Sequence, residues 1–95
     1  MDASAEWVMA WMDLILDSTV MGEAVLKGDL AEVRARARSI ATRARRHGFA
    51  DLSERAVALV EQLGHGGEAP ASVYAKPVGD ILRQVDAIGK RASDP

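Results

Sequence analysis

Apolar residues recur every three or four positions in four separate segments of the chain, and this spacing most limits the possible folds. Residues at such intervals share one face of an α-helix, and that face has to be buried against other elements. The sequence also contains 17 Ala and only 3 Pro. Because Ala has the highest helix propensity and Pro the lowest, an all-α fold is predicted.

The boundaries of four helices follow from these patterns and from the residues between them. Gly28 and Gly48 are typical of the positions just after a helix, and Asp29 with Glu32 forms a variant of the capping box at a helix start. We expect helices at about 4–27, 29–47, 50–63 and 77–90, with a loop at 64–76 that contains His65. The length of 95 residues allows one domain, 1–95. Short connections between the first three helices predict an antiparallel up-down-up-down four-helix bundle.

The composition excludes several functional classes. The chain has no Cys, so it has neither disulfides nor thiolate ligands or nucleophiles, and its net charge of −2 disfavours nucleic acid and lipid. The apolar run 7–16 is too short to span a bilayer, and we expect a cytoplasmic protein that makes no membrane contact. No known catalytic or phosphate-binding motif is present, and a core of this size leaves no cavity for a large cofactor. We therefore expect no enzyme activity, cofactor or metal, and we assign Asp13 and Asp17 to a solvent face.

Six arginines lie within thirteen residues of the second predicted helix. At 100° per residue, Arg34, Arg38 and Arg45 fall within about 40° of one another, and Ala41 lies at the edge of the same stripe. The remaining three are Arg36, Arg43 and Arg46. Such a stripe suits the recognition of carboxylates or phosphates, but it is also compatible with a solvated face balanced by nearby acids.

The segment 28–63 carries a further pattern, which starts at a Gly-Asp pair and continues through the third predicted helix. The positions concerned are Gly28, Asp29, Ile40, Gly48, Leu52, Ala56, Leu59 and Glu61. This pattern resembles the histidine phosphotransfer (Hpt) family, whose helical bundle carries a His-x-Leu-Lys-Gly-Ser run that is followed by Gly ten residues after the His. The resemblance implies a four-helix bundle in a bacterial two-component phosphorelay.

The residues that carry the chemistry of that family are replaced here. In the register of the resemblance, Arg38 stands where the phosphoaccepting His would be, Ala41 replaces the Lys, and Thr42 replaces the small Gly. A guanidinium with a pKa above about 12 offers no lone pair for phosphorylation. The resemblance therefore implies a non-catalytic adaptor or decoy, which docks a receiver domain or a histidine kinase through Arg34, Arg38, Ala41, Thr42 and Arg45.

Three alternatives stay open. The imidazole of His47, at the end of the same helix, could accept phosphate instead. The Arg-rich helix could bind nucleic acid, although the acidic total charge and the expected absence of exposed aromatics near the arginines count against this. The chain could also be a helical dimerisation module, in which Trp7 and Trp11 form either an oligomer face or part of the core.

Overall fold

The computed structural model describes residues 3–64 and 70–93 of the chain. In this part the chain forms four α-helices and one short 3-10 turn, with no strand. The elements in chain order are α1 (Ala3–Lys27), α2 (Leu30–Arg46), α3 (Ala50–Gly64), the turn Ala71–Tyr74 and α4 (Ala75–Ser93). The prediction of an all-α fold with four helices is confirmed.

The predicted glycine stops are present at the ends of α1 and α2. Gly28 and Gly48 adopt left-handed φ angles of 75° and 81°. Residues with a side chain adopt such angles only with backbone strain. At the start of α2 the Asp29 carboxylate accepts a hydrogen bond from the Glu32 N–H at 3.1 Å. The capping box is only half formed in the described contacts, because the Glu32 carboxylate accepts a hydrogen bond from Arg36 instead.

The core is built from one apolar line on each helix. α2 packs along both α1 and α3, whereas α4 packs mainly on α1 and makes a smaller contact with α3. Ala37 and Ala44 are fully buried on α2, where their small side chains let the neighbouring helices approach closely. The other members of the core include Leu14, Met21, Val33, Ile40, Leu52, Ala56, Leu59, Leu63, Val78, Ile81, Val85 and Ile88.

The predicted loop 64–76 is wrong at its C-terminal end. Ala71–Tyr74 form the 3-10 turn, and Tyr74 is buried in the core. α4 then starts at Ala75, two residues before Pro77, and it continues to Ser93 rather than to residue 90. Pro is tolerated in the first turn of a helix because the N–H that it lacks would have no helical partner there. Residues 65–69, which include His65, lie outside the described part of the chain.

The two tryptophans of α1 lie side by side, and Trp11 contacts α4. Their rings stack with centroids 6.0 Å apart, and both are partly buried against the core. The indole N–H of Trp11 donates a hydrogen bond to the carbonyl oxygen of Val85 at 3.1 Å. This bond gives the polar edge of the ring a partner inside the bundle, as buried Trp requires. None of the described helices has the length and apolarity needed to cross a membrane.

Candidate functional site

The arginines of α2 divide into three groups according to the direction in which each points. Arg36 and Arg43 reach toward α1, and Arg34 reaches toward the end of α3. Arg38, Arg45 and Arg46 point outward and are exposed. The position of α2 between α1 and α3 produces this division, because each flank of the helix meets a different neighbour.

The group that faces α1 is neutralised by acids of that helix. Asp17 is only 4% exposed, and its two carboxylate oxygens lie 3.0 Å from Arg36 Nη1 and 3.3 Å from Arg43 Nε. The hydroxyl of Ser39 donates to the same carboxylate at 2.6 Å, and Arg43 also reaches Asp13 at 2.9 Å. The assignment of Asp17 to a solvent face is therefore wrong, whereas the Asp13 side chain is half exposed and pairs with Arg43 at the edge of the helix interface. The two acids anchor α1 to α2.

The Arg36 guanidinium of this network is held in its charged form. Hydrogen bonds from the Arg36 guanidinium to Glu32 and then to Asp17 raise the pKa of that guanidinium above its ordinary value. Both favour the charged form, so Arg36 stays protonated and remains committed to its two acids. Neither Arg36 nor Arg43 is free to bind a partner.

The Arg34 side chain also makes a contact within the fold. Its Nη2 donates a hydrogen bond to the Leu63 carbonyl oxygen at 2.5 Å, and its side chain is partly buried. The carbonyls of the last helical turn have no helical partner, so this contact completes the C-terminal end of α3. The Arg34 Nε is buried without a hydrogen-bond partner among the described residues. The prediction that Arg34 belongs to an exposed stripe is therefore wrong.

The outward group forms the surface that we call the Arg38 surface: Ala35, Arg38, Thr42, Arg45 and Arg46. All five residues are exposed. In the part of the chain that the structure describes, no carboxylate pairs with any of its three guanidinium groups. The short side chains of Thr42 and Ala35 lie between the arginines. A shallow hollow extends from Arg38 past Thr42 to Arg46.

Ala41 lies at the rim of this surface and not on it. Its side chain is partly buried against the core, and its carbonyl oxygen accepts a hydrogen bond from the Ser53 hydroxyl of α3 at 3.2 Å. Of the five predicted docking residues, the structure therefore brings Arg38, Thr42 and Arg45 together on one open face. It draws Arg34 and Ala41 toward α3, and it adds Arg46, which the sequence analysis left outside the set.

Other polar groups of the chain do not form a competing site. Among the described residues, no group of three or more His, Cys, Asp or Glu is placed to hold a metal ion. Asp80 on α4 lies 3.3 Å from Lys76 Nζ and also contacts Arg83. The hydrogen bond from Lys76, more than the contact with Arg83, holds the pKa of the Asp80 carboxyl below its ordinary value.

The remaining described imidazole lies at the end of α2. His47 is the C-cap residue, is exposed, and its backbone N–H donates to the Arg43 carbonyl oxygen. It lies nine residues after Arg38, which corresponds to about 13 Å along a helix. The Arg38 surface itself contains no imidazole, and its arginines are suited to the recognition of anions and carboxylates. No family model, curated protein or solved structure matches this chain.

Proposed function

We propose that this chain is a non-catalytic, Hpt-like docking module, an adaptor or decoy that binds a receiver domain or a histidine kinase of a two-component phosphorelay through the Arg38 surface. One observation carries the proposal. Arg38, Arg45 and Arg46 are exposed without a paired carboxylate among the described residues, whereas Arg36 and Arg43 on the same helix are neutralised by acids of α1. The fold thus leaves one concentrated positive face available to a partner.

The chemistry of this face suits an acidic protein surface. A guanidinium presents its donors in a planar fork that matches a carboxylate, and such charge-assisted hydrogen bonds are about twice as strong as neutral ones. Receiver domains, as the resemblance implies, carry acidic residues around the phosphoaccepting Asp. The small side chains of Ala35 and Thr42 let the partner approach the helix between the arginines.

The antiparallel up-down-up-down arrangement is part of the same proposal. Two features support it: the connections at 28–29 and 47–49 are very short, and α2 packs along both of the helices that it joins. In this arrangement Arg38 lies at the middle of α2, on the exposed side of that helix. This is where the resemblance puts the phosphoaccepting His. The proposal also implies a cytoplasmic setting in a bacterium, where such partners act.

The docking is proposed to occur without chemistry. A nucleophilic imidazole is missing at position 38, and Ala41 and Thr42 stand where that family has the Lys and the Gly that phosphotransfer uses. The chain would therefore compete with or recruit a phosphorelay partner without passing phosphate on.

Binding to purified receiver domains and kinases from the same organism, measured by calorimetry, tests the proposal. We expect one partner to bind the native chain, and the double variant Arg38→Glu with Arg45→Glu to bind at least tenfold more weakly, because each charge-assisted contact contributes about 1.5–3 kcal/mol. The matched control is Arg55→Glu with Arg91→Glu. It changes the net charge equally at exposed arginines that line hollows beside α3 and α4.

Three results would contradict the proposal. One is the absence of binding to any member of the panel, and another is an equal loss in the control variant, which would indicate only a net-charge effect. The third is tight, salt-sensitive binding to DNA with no protein partner, which would favour the nucleic-acid alternative instead.

A further inference from the structure

The side of α1 that faces away from the other helices is apolar. Val8, Met9, Met12 and Leu16 are 43%, 68%, 59% and 58% exposed. On a helix these positions fall within about 100° of the circumference, so they form one continuous stripe. We call these four residues the outer face of α1.

The orientation of α1 is fixed from both sides. Trp11 is hydrogen-bonded to Val85 of α4, and Asp13 and Asp17 are paired with arginines of α2. Rotating the helix to bury its outer face would break both sets of contacts. The apolar stripe is therefore a surface of the folded chain, distinct from the Trp7 and Trp11 face that the sequence indicated for oligomerisation.

The stripe is large enough to be a contact surface. The four residues together expose roughly 400 Å², which is within the range of about 300–600 Å² for the largest apolar patch of a single chain, and such a patch is often functional. Methionine is also enriched at the centres of protein interfaces, because its flexible side chain adapts to a partner. The stripe contains two.

We infer that the outer face of α1 pairs with the same face of a second copy of this chain, antiparallel, with Met12 at the two-fold axis. In such a pair a residue that lies n positions before Met12 meets the residue n positions after it on the partner. Val8 and Leu16 lie four positions on either side of Met12, and Met9 and Ile15 lie three positions on either side. Val8 and Leu16 therefore meet each other, whereas Ile15, the counterpart of Met9, is partly buried against the core at the edge of the outer face.

The charges around the stripe are compatible with a second copy of the chain as the partner. The first charged residues on the same face are Glu23 and Lys27, 11 and 15 positions from Met12 and outside the paired segment. Asp13 at the edge is already neutralised by Arg43. Dimerisation therefore removes no unpaired charge from water, which would otherwise oppose association.

The same charges disfavour a lipid surface. Helices that lie on membranes carry Lys and Arg beside the apolar face, where they meet anionic headgroups. Here the charged residues that flank the stripe along α1, apart from the paired Asp13, are Glu6, Glu23 and Lys27, so the flanks are negative on balance. A helix pair of this kind buries on the order of 500 to 700 Å² per copy, near the lower end for a specific interface, so we expect a weak, concentration-dependent dimer. The inference does not rest on the Arg38 surface, which lies on another helix and stays open in the dimer.

Sedimentation equilibrium of the full chain over about 1 µM to 1 mM tests the inference. The native chain should approach twice its mass of 10.2 kDa, and Met12→Asp should raise the dimer dissociation constant at least tenfold. The matched control is Leu26→Asp, because Leu26 is 88% exposed on the same side of α1 but lies 14 positions from Met12. It should leave the dimer intact. Far-UV circular dichroism of both variants, compared with the native chain, checks that they remain helical.

A single cysteine gives a second readout, since the native chain has none. Met12→Cys should form a disulfide-linked dimer under mild oxidation, because two helices 8–10 Å apart bring residues at the two-fold axis within about the Cα separation of a disulfide. Leu26→Cys should cross-link far less. A monomeric native chain at about 1 mM, or a dimer that Met12→Asp leaves unchanged, would overturn the inference. A monomer that adsorbs to anionic vesicles would assign the stripe to lipid instead.

Discussion

The indole ring of Trp11 lies directly on the backbone of Gly89, in the space that a Cβ atom at position 89 would occupy. Gly89 is buried inside α4, where glycine otherwise lowers helix stability. The absence of a side chain thus allows α1 and α4 to approach closely enough for the Trp11 hydrogen bond to Val85.

Gly89→Ala should therefore destabilise the fold, although Ala is the better helix former. The new methyl group would displace the Trp11 ring and break its hydrogen bond, and we expect a loss of about 2–4 kcal/mol in the free energy of unfolding. Gly79→Ala is the control on the same helix. A Cβ there meets nothing nearer than Arg83 Nη1 at 3.6 Å, so it should stabilise by about 0.5–1 kcal/mol. Urea unfolding measures both, and a stabilising Gly89→Ala would contradict the contact.

Asp17→Ala should be much more damaging than Asp13→Ala. Removing the buried carboxylate leaves Arg36, Arg43 and Ser39 without their shared acceptor, and we expect a cost of about 2 kcal/mol, because the arginines themselves remain partly solvated. The Asp13 side chain is half exposed, so its removal should cost less than about 1 kcal/mol. Thermal unfolding of the two variants checks this order, and equal losses would refute the anchoring role of Asp17.

Substitution of Arg34 should lower the stability of the fold more than substitution of Arg38. Arg34→Ala removes the hydrogen bond to the Leu63 carbonyl oxygen and should cost about 1–2 kcal/mol of stability. Arg38→Ala should stay within about 0.5 kcal/mol of the native chain, because Arg38 is exposed and has no described partner. Chemical unfolding gives the stability of each, and a destabilised Arg38→Ala would point to a contact that the fold requires.

The native chain should not take up phosphate from a phosphorylated receiver domain. If the Arg38 surface retains a docking geometry of the Hpt kind, the triple variant Arg38→His, Ala41→Lys and Thr42→Gly should show weak transfer. The glycine lowers helix stability by roughly 0.5–1 kcal/mol, which the bundle should survive. Radiolabelled phosphate is the readout. Acid-labile phosphate on the native chain, mapped to His47, would instead assign phosphate acceptance to the end of α2.

The spacing of apolar residues was sufficient to predict α2 and α3, since core lines such as Val33, Ala37, Ile40 and Ala44 depend only on the helical period. Tyr74 was missed because a stretch with Gly and Pro is typical of a loop, and nothing local indicates that a turn within it returns to the core.

The arginines were harder to assign, because their roles depend on how the helices rotate against one another. A helical wheel places Arg34 beside Arg38, but it does not reveal that the last turn of α3 lies within reach of Arg34. One usable signal was overlooked. Asp13 and Asp17 lie four residues apart on α1, and Arg36 and Arg43 lie seven apart on the adjacent α2, a spacing that lets opposite charges meet across an interface of two helices.

The hydrogen bond from Trp11 to Val85 joins residues 74 positions apart. Contacts between α1 and α2, and between α2 and α3, close only short loops, whereas docking α4 onto α1 closes nearly the whole chain. α4 makes a smaller contact with α3 than with α1, so its attachment to the bundle depends largely on α1. The contact pattern therefore predicts that the first three helices assemble through local contacts and that the docking of α4 onto α1 forms late and is lost early, an order that native-state hydrogen exchange of α4 would check.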